Sequence, residues 1–443
     1  MLKTEKKKVA ALIIFIISLT VCVSIPYGKL KAQTDEIYGK LKVFSNVLSI
    51  IQKNYVEETN PEDLIYGAIN GMLRTLDPHS SFMLPDLYKE LQVETKGSFG
   101  GIGIEITIRK GILTIVSPIE DTPAFRAGLK SSDKIVKIED ESTENMTLLD
   151  AVKRMRGPAG EKVTISIMRE GFTEPKDFTL TREIIRIKSV KYKSLEEDTI
   201  GYIRLSQFQE KTGAEFNKAL DALEQGDKSL TGLILDLRNN PGGLLDQAVK
   251  ICDTFIDQGL IVYTQGRIEG QQMKFSAHPN KNPHDYPIIV LVNGGSASGS
   301  EIVAGALQDH NRAVILGTPT FGKASVQTII PLDDGSGLRL TTARYYTPNG
   351  KSIQATGIIP DVIVKETAFH SKEEKEKIRY IKEKDLKGHF EPEGIKEEIT
   401  TTKEEDEKEE EEEDPQLVRA TQLIKSWHIF KKYETENQNT IEP

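Results

Sequence analysis

A chain of 443 residues is too long for one small domain, and its 38 % hydrophobic content suffices for packed cores. A formal charge of -9, much of it in the run Glu404–Asp414, gives no support for nucleic-acid binding and leaves the rest closer to neutral. Two cysteines, Cys22 in an apolar N-terminal stretch and Cys252 in an amphipathic one, supply no disulfide framework.

Lys3, Lys6, Lys7 and Lys8 precede an uncharged run, Val9–Ile25, and Lys29 and Lys31 follow it. A basic flank before an apolar segment of this length fits a signal peptide or a single spanning helix. No small-x-small cleavage site follows, and bulky Val21 spoils a lipoprotein box ahead of Cys22. The expectation for residues 1–33 is therefore an uncleaved, single-pass anchor in a bacterial cell membrane, ahead of a cleaved signal or lipidation. Each of the three exports the rest of the chain.

Residues 34–96 form an expected helical region. Ile37, Leu41, Phe44, Leu48 and Ile51 recur at helical spacing, and Asn60-Pro61 offers an N-cap with proline at the first helical position. This region has too little apolar surface for a core of its own, which points to packing on a neighbour or to homodimerisation without fixing a stoichiometry. Residues 97–183 change to short β segments at Ile102–Ile108, Leu113–Val116, Lys134–Ile138 and Val163–Met168, with helices over Pro123–Ala127 and Thr147–Met155.

Over 184–366, strands and helices alternate: Ile200–Leu205, Glu210–Leu223, Leu233–Leu237, Leu244–Phe255, Ile288–Val292, Ser300–Gln308 and Ala313–Leu316. Repeated β-turn-α units predict an α/β fold with a largely parallel sheet, whose function collects after strand C-termini. From about Val364 the chain is charged and of low complexity, a disordered linker by composition, with an amphipathic helix over Leu417–Phe430 closing residues 367–443.

Three turns in the alternating region carry chemistry. In Asn293-Gly294-Gly295-Ser296-Ala297-Ser298-Gly299-Ser300-Glu301, between a buried strand and a helix, a serine faces the crevice while helix N–H groups face a developing negative charge. The turn Asp236-Leu237-Arg238-Asn239-Asn240-Pro241-Gly242-Gly243 can present a second N–H to the same crevice. In Thr320-Phe321-Gly322-Lys323-Ala324-Ser325-Val326-Gln327, a lysine among small and apolar residues is a base if desolvation lowers its affinity for a proton. Gln327 could orient that amine without adding an anion. His79, His278, His284 and His310 stand in turns or at helix ends, and no spacing matches a zinc motif, so neither a metal nor another cofactor is expected.

In this order, these motifs resemble the C-terminal processing peptidases, or tail-specific proteases, over roughly Asp35 to Val364. The resemblance implies a ClpP/crotonase-like peptidase core with an inserted PDZ domain. It makes Ser298 the nucleophile, Lys323 the general base, Gln327 the orienting residue, and Gly299 with Gly242 or Gly243 the oxyanion donors. The β-rich module is similar to a PDZ domain, with Gly101-Ile102-Gly103-Ile104 as the loop that holds a peptide carboxylate. Substrates would be exported polypeptides with free C-termini. Arg156, before Gly157-Pro158, is a candidate coupler between module and active site. The competing class is a non-catalytic adaptor that presents proteins to another protease.

Overall fold

The structure is a computed structural model and describes residues 37–196, 199–226, 229–268, 272–280, 284–366, 380–390 and 414–439. It divides into two units, with the boundary between Thr75 and Leu76. In the first unit, α1 covers 37–54 and α2 covers Pro61–Leu73. Asn60 caps α2, its side chain accepting from the Glu62 N–H, with proline at the first turn as expected. Ile37, Leu41, Phe44, Val47 and Ile50 of α1 are exposed, in keeping with a region that has little core of its own. Among the described residues no helix is long and apolar enough to cross a membrane. The expected anchor over Val9–Ile25, and Cys22 with it, lie outside the described residues.

The second unit opens with β1 (Ser81–Met83) and α3 (Pro85–Lys96). Next comes the β-rich module: β2 (Ser98–Gly101), β3 (Ile104–Arg109), β4 (Ile112–Pro118), α4 (Pro123–Arg126), β5 (Lys134–Ile138), β6 (Glu141–Ser142), α5 (Leu148–Met155), β7 (Lys162–Met168) and β8 (Lys176–Thr181). Its sheet runs β3-β4-β5-β7-β8, with β6 on β5. A separate core of Ile102, Leu113, Ile115, Ile135, Ile138, Ala151, Met155, Val163, Ile165 and Ile167 fills it. β9 (Glu183–Arg186) leaves the module paired antiparallel with β2.

The remaining elements build two sheets. The first consists of β10 (Val190–Leu195), β11 (Ile200–Leu205), β12 (Gly232–Asp236), β15 (Ile288–Val292), β16 (Val314–Gly317) and β19 (Val362–Ile363), in that spatial order. All its pairings are parallel except β10 with β11. Alternate residues of β12 face opposite ways, Leu233 and Leu235 into one core and Ile234 into the other. The larger core lies against α6 (Thr212–Glu224), α7 (Leu245–Phe255) and α8 (Gly299–Asp309). The smaller takes Ala420 and Ile424 of α9 (Pro415–Asn439), which runs beyond the stretch expected to be helical. Burying an isoleucine such as Ile424 contributes roughly 1.5–3 kcal/mol. Cys252, on α7, is a free, buried thiol that burial pushes well above its ordinary range.

The second sheet holds β13 (Leu260–Gly266), β14 (Met273–Ser276), β17 (Ser325–Pro331) and β18 (Gly337–Tyr346). β18 is its spine: β17 runs along it, while its two halves pair with β1 and β13. The composition-based expectation of disorder fails at 380–390. There Glu383, in a short 3-10 turn over Glu383–Asp385, is fully buried, because partners distant in sequence satisfy its carboxylate. The rest of the expected linker, 367–379 and 391–413, lies outside the described residues.

Candidate active site

Parallel neighbours β12 and β15 end side by side, Asp236 opposite Leu291, and their following turns face one another. Asp236 is fully buried and fixes the first turn: Arg238 Nε and Nη2 donate to its two oxygens at 3.0 and 2.7 Å, and Tyr202 Oη donates at 2.7 Å. Burial pushes the Asp236 carboxyl up, but Arg238 outweighs it and holds it below the usual range. Arg238 Nη1 also reaches Asp414 at the start of α9.

The turns are stitched together. Ala297 N–H and Ser300 Oγ both donate to Asn240 O, Asn239 N–H donates to Asn293 Oδ1, and Ser296 Oγ donates to Leu237 O. Ser300 is thus inside the helix, one residue past its first, and its side chain holds the neighbouring turn. Ser298 occupies the N-cap position with φ +52° and ψ -109°, a left-handed backbone that a non-glycine residue adopts only under constraint.

Two buried groups then join Ser298 to Lys323. Glu301 Oε2 accepts the backbone N–H of Ser298 (2.8 Å) and of Lys323 (3.0 Å). Its Oε1 accepts from Thr320 Oγ1 (2.5 Å) and Gly322 N–H (2.7 Å). On the other side, Tyr345 Oη lies 3.1 Å from Ser298 O and 2.5 Å from Lys323 O, its proton facing both carbonyls. A carboxylate gathers the donors of the pair and a phenol gathers the acceptors. Sequence reasoning quoted Glu301 but gave it no role and missed Tyr345; the only signal was an acidic residue three positions past a helix-capping serine.

Burial is the largest influence on Lys323 and lowers its proton affinity, with Arg339 acting in the same direction against Glu383, Glu301 and Asp77. Burial pushes the Glu301 carboxyl up to about 7 against its four donors. The Tyr345 hydroxyl is driven well above its ordinary range by burial and by Glu301 and Glu383. Among the described residues no group of three or more His, Cys, Asp or Glu is placed to hold a metal ion.

Gln327 does not meet the sequence expectation here. Its Nε2 donates to Ser325 Oγ (2.9 Å) and Thr341 Oγ1 (3.3 Å), with no hydrogen bond to Lys323 among the described residues. A bulge between Val326 and Gln327 sets this register. The glycine pair also divides. Gly242 N–H is committed to Asn240 Oδ1 at 2.9 Å, which removes it as an oxyanion donor. Phe208 bridges this turn through Gly242 O and Leu244 N–H, so the Gly243 N–H points elsewhere. Among the described residues nothing accepts from the N–H of Gly243 or of Gly299.

Gly242 has a different task. At φ +100°, a Cβ on it would lie 2.8 Å from Ala297 O, Gly299 N and Ser298 Cβ. Gly242→Ala should therefore displace the Ser298 loop. Such a shift should lower turnover at the Ser298 loop by about 100-fold, measured as kcat, while ligand binding to the β-rich module stays unchanged.

In that module, β3 is an edge strand opposite α5. Gly101, Ile102 and Gly103 are buried ahead of Ile104, where β3 starts. The carbonyls of Ile102 and Gly103 accept from Ala124 and Ile119, but among the described residues nothing accepts from their N–H groups. Gly103, at φ +80°, packs so closely on Thr122 that a Cβ would fall 2.4 Å from it. An open edge beside two unspent N–H groups can take an extended peptide and its terminal carboxylate. Arg156, the expected coupler, bonds Glu90 of α3 at 2.5 Å and stacks 4.2 Å from the Phe99 ring centroid. As the C-cap of α5 it ties the module to α3, and among the described residues it makes no hydrogen bond to the Ser298 loop.

Residues 199–364 match the model of peptidase family S41, residues 100–180 that of the PDZ domain, and residues 25–86 that of the activating protease CtpB N-terminal domain. The chain is 50% identical over 332 residues to a carboxy-terminal-processing protease of Bartonella bacilliformis, covering 74% of this chain and 76% of the relative. It is 41% identical over 325 residues to a carboxyl-terminal-processing protease of Synechocystis, covering 72% and 75%. A probable CtpA-like serine protease of Staphylococcus aureus is 37% identical over 341 residues, covering 76% of this chain and 67% of that one.

Proposed function

The chain belongs to peptidase family S41 and carries a PDZ domain, and from that premise we propose that it is an endopeptidase that captures the free C-terminus of exported proteins and cuts upstream of it. The observation that carries this reading is the double bridge, Glu301 and Tyr345, holding Ser298 and Lys323 to one carboxylate and one phenol. Ser298 is the nucleophile: its Oγ adds to the substrate carbonyl as Lys323 Nζ takes its proton. The N–H groups of Gly299 and Gly243 hold the oxyanion. The ammonium of Lys323 then protonates the leaving amine; the regenerated Lys323 amine takes a proton from water as it adds to the acyl group, and returns it to Ser298 Oγ as the acid departs.

The PDZ domain spans about residues 97–183, and its Gly101-Ile102-Gly103-Ile104 loop holds the substrate carboxylate while the tail adds to β3. Gln327, bonded to Ser325 and Thr341, orients the base only through its neighbours. The segment 1–33 anchors the chain in the cell membrane with the peptidase outside the cytoplasm, and the helical region 34–96 supports a homodimer.

The test is to incubate the purified chain and its Ser298→Ala form with a peptide bearing an apolar C-terminus, free or amidated, and to analyse the products by mass spectrometry. The intact chain should release products and Ser298→Ala none. Amidation, which removes a charge-assisted hydrogen bond, should raise KM by roughly 10- to 100-fold. A chain that binds the free peptide and gives no products would be an adaptor.

A further inference from the structure

Glu383 is a carboxylate of zero exposure that comes from beyond the residues matching the peptidase family model. His79 Nε2 lies 2.8 Å from each of its oxygens. Gln354 Nε2 donates to its Oε1 at 3.0 Å, and Gln354 Oε1 in turn accepts the Ala324 N–H at 3.0 Å. The backbone N–H of Glu383 donates to Phe321 O at 3.3 Å. The segment that carries Glu383 thus grips the chain on both sides of Lys323: Phe321 before it, Ala324 after it.

His79 comes from the other end of the unit. The turn Asp77-Pro78-His79-Ser80 is folded around the Asp77 carboxylate, which accepts the N–H of His79 and of Ser80 at 2.8 Å each and Ser80 Oγ at 2.7 Å. Burial pushes Asp77 up, but these bonds win and hold it below the usual range. Thr341 Oγ1 also donates to Asp77, and Gln327 donates to Thr341, so turn, β18 and β17 form one polar cluster.

We propose that Glu383 is a positioning residue for the Ser298–Lys323 pair, its buried carboxylate held by His79 and fixing, through Gln354 and Phe321, where the Lys323 amine stands and what charge it faces. This rests on the reading of Lys323 as base. The charged groups that face Lys323 are Arg339 of β18, Glu301 of α8, Asp77 of the turn before β1, and Glu383 itself. Lys382 and Lys384 flank Glu383 on its own segment, and Lys382 faces Glu301 and Asp385. Of these, Glu383 is the foremost group that favours the protonated amine. The segment therefore opposes the desolvation that makes the amine a base, keeping it able to hold the proton that it later returns to the leaving group.

The experiment uses the full chain, a peptide with an apolar C-terminus, and kcat/KM measured from about pH 5 to about pH 10, where the limbs report groups of the free enzyme. Glu383→Gln keeps the shape and removes the charge. It should move the acid limb to lower pH and lower the plateau about tenfold. His79→Ala should lower the plateau in the wild-type background, and in the Glu383→Gln background it should have almost no further effect, since the two act as one unit. An acid limb that stays in place in Glu383→Gln, or losses that multiply in the double variant, overturns the proposal. If Glu383→Gln does not fold, judged by circular dichroism, His79→Ala decides: an unchanged plateau overturns it. Retention of the acid limb in Lys323→Met would instead sink the assignment of the base, whatever Glu383 does.

Discussion

Lys323→Ala should lower kcat/KM for peptide cleavage by at least about 10⁴-fold, with Ser298→Ala equal to it and the double variant no worse than either, since the proposed nucleophile and its proposed base would act as a unit. The reason lies in the surroundings of the amine. An exposed lysine near its ordinary value of 10.5 is almost wholly protonated at neutral pH and has no lone pair to offer. Here desolvation is the largest influence, and Arg339 adds its positive charge in the same direction. The shift is downward, so activity is lost as pH falls through the lowered value and rises with pH to a plateau reached below the usual lysine range. Replacing Arg339 with glutamine should move that limb to higher pH. The variants should melt as the wild type does, because Lys323 is held by its backbone, through Glu301 and Tyr345. Near-wild-type cleavage by Lys323→Ala would end the serine–lysine mechanism.

Glu301→Gln should damage activity less than Lys323→Ala does, and stability far more. A carboxylate accepts all four donors that converge on it, whereas a carboxamide has one oxygen and turns an NH₂ toward the other two. Two buried donors left without an acceptor cost about 1–3 kcal/mol each, so unfolding in urea should show a loss of about 2–6 kcal/mol. The loss of register between Ser298 and Lys323 should lower kcat by about 100-fold or more. The pH dependence has a definite sign. In the folded chain burial raises the carboxyl from 4.5 to about 7. Its contribution to stability is therefore complete below about 4.5 and lost as pH rises to about 7. Glutamine abolishes this dependence, so the two proteins should differ in the slope of stability between those values. A variant with wild-type stability and turnover would remove Glu301 from the site.

Local chemistry made much of this legible in the sequence. The runs Lys134–Ile138, Ile200–Leu205 and Ile288–Val292 are strands within the expected bounds, because apolar alternation or continuity is written in neighbouring residues. Asn60-Pro61 and Thr147 announced helix starts by the same local logic. What escaped depends on partners far away in the chain. Glu383 sits among lysines and acids and looks solvated, yet its partner His79 is 304 positions distant. The division of labour between Gly242 and Gly243 turns on the direction of one N–H, which φ decides and composition does not. Proximity in sequence and family resemblance both pair Gln327 with Lys323, but the bulge beside it aims the amide at Thr341. The β17–β18 ribbon was unread because its residues carry hydroxyls and arginines between apolar positions, as suits a half-covered sheet.

The short ribbon of β2 with β9 has an evolutionary corollary. Gly101 stands opposite Glu183 in its register, so the chain departs for the PDZ domain and returns from it at adjacent points. A domain attached by two neighbouring ends can be exchanged for a shorter or longer one without disturbing the layers that hold Ser298 and Lys323. Selectivity for tails can thus drift by replacement of a cassette, while the hydrolytic machinery is inherited unchanged.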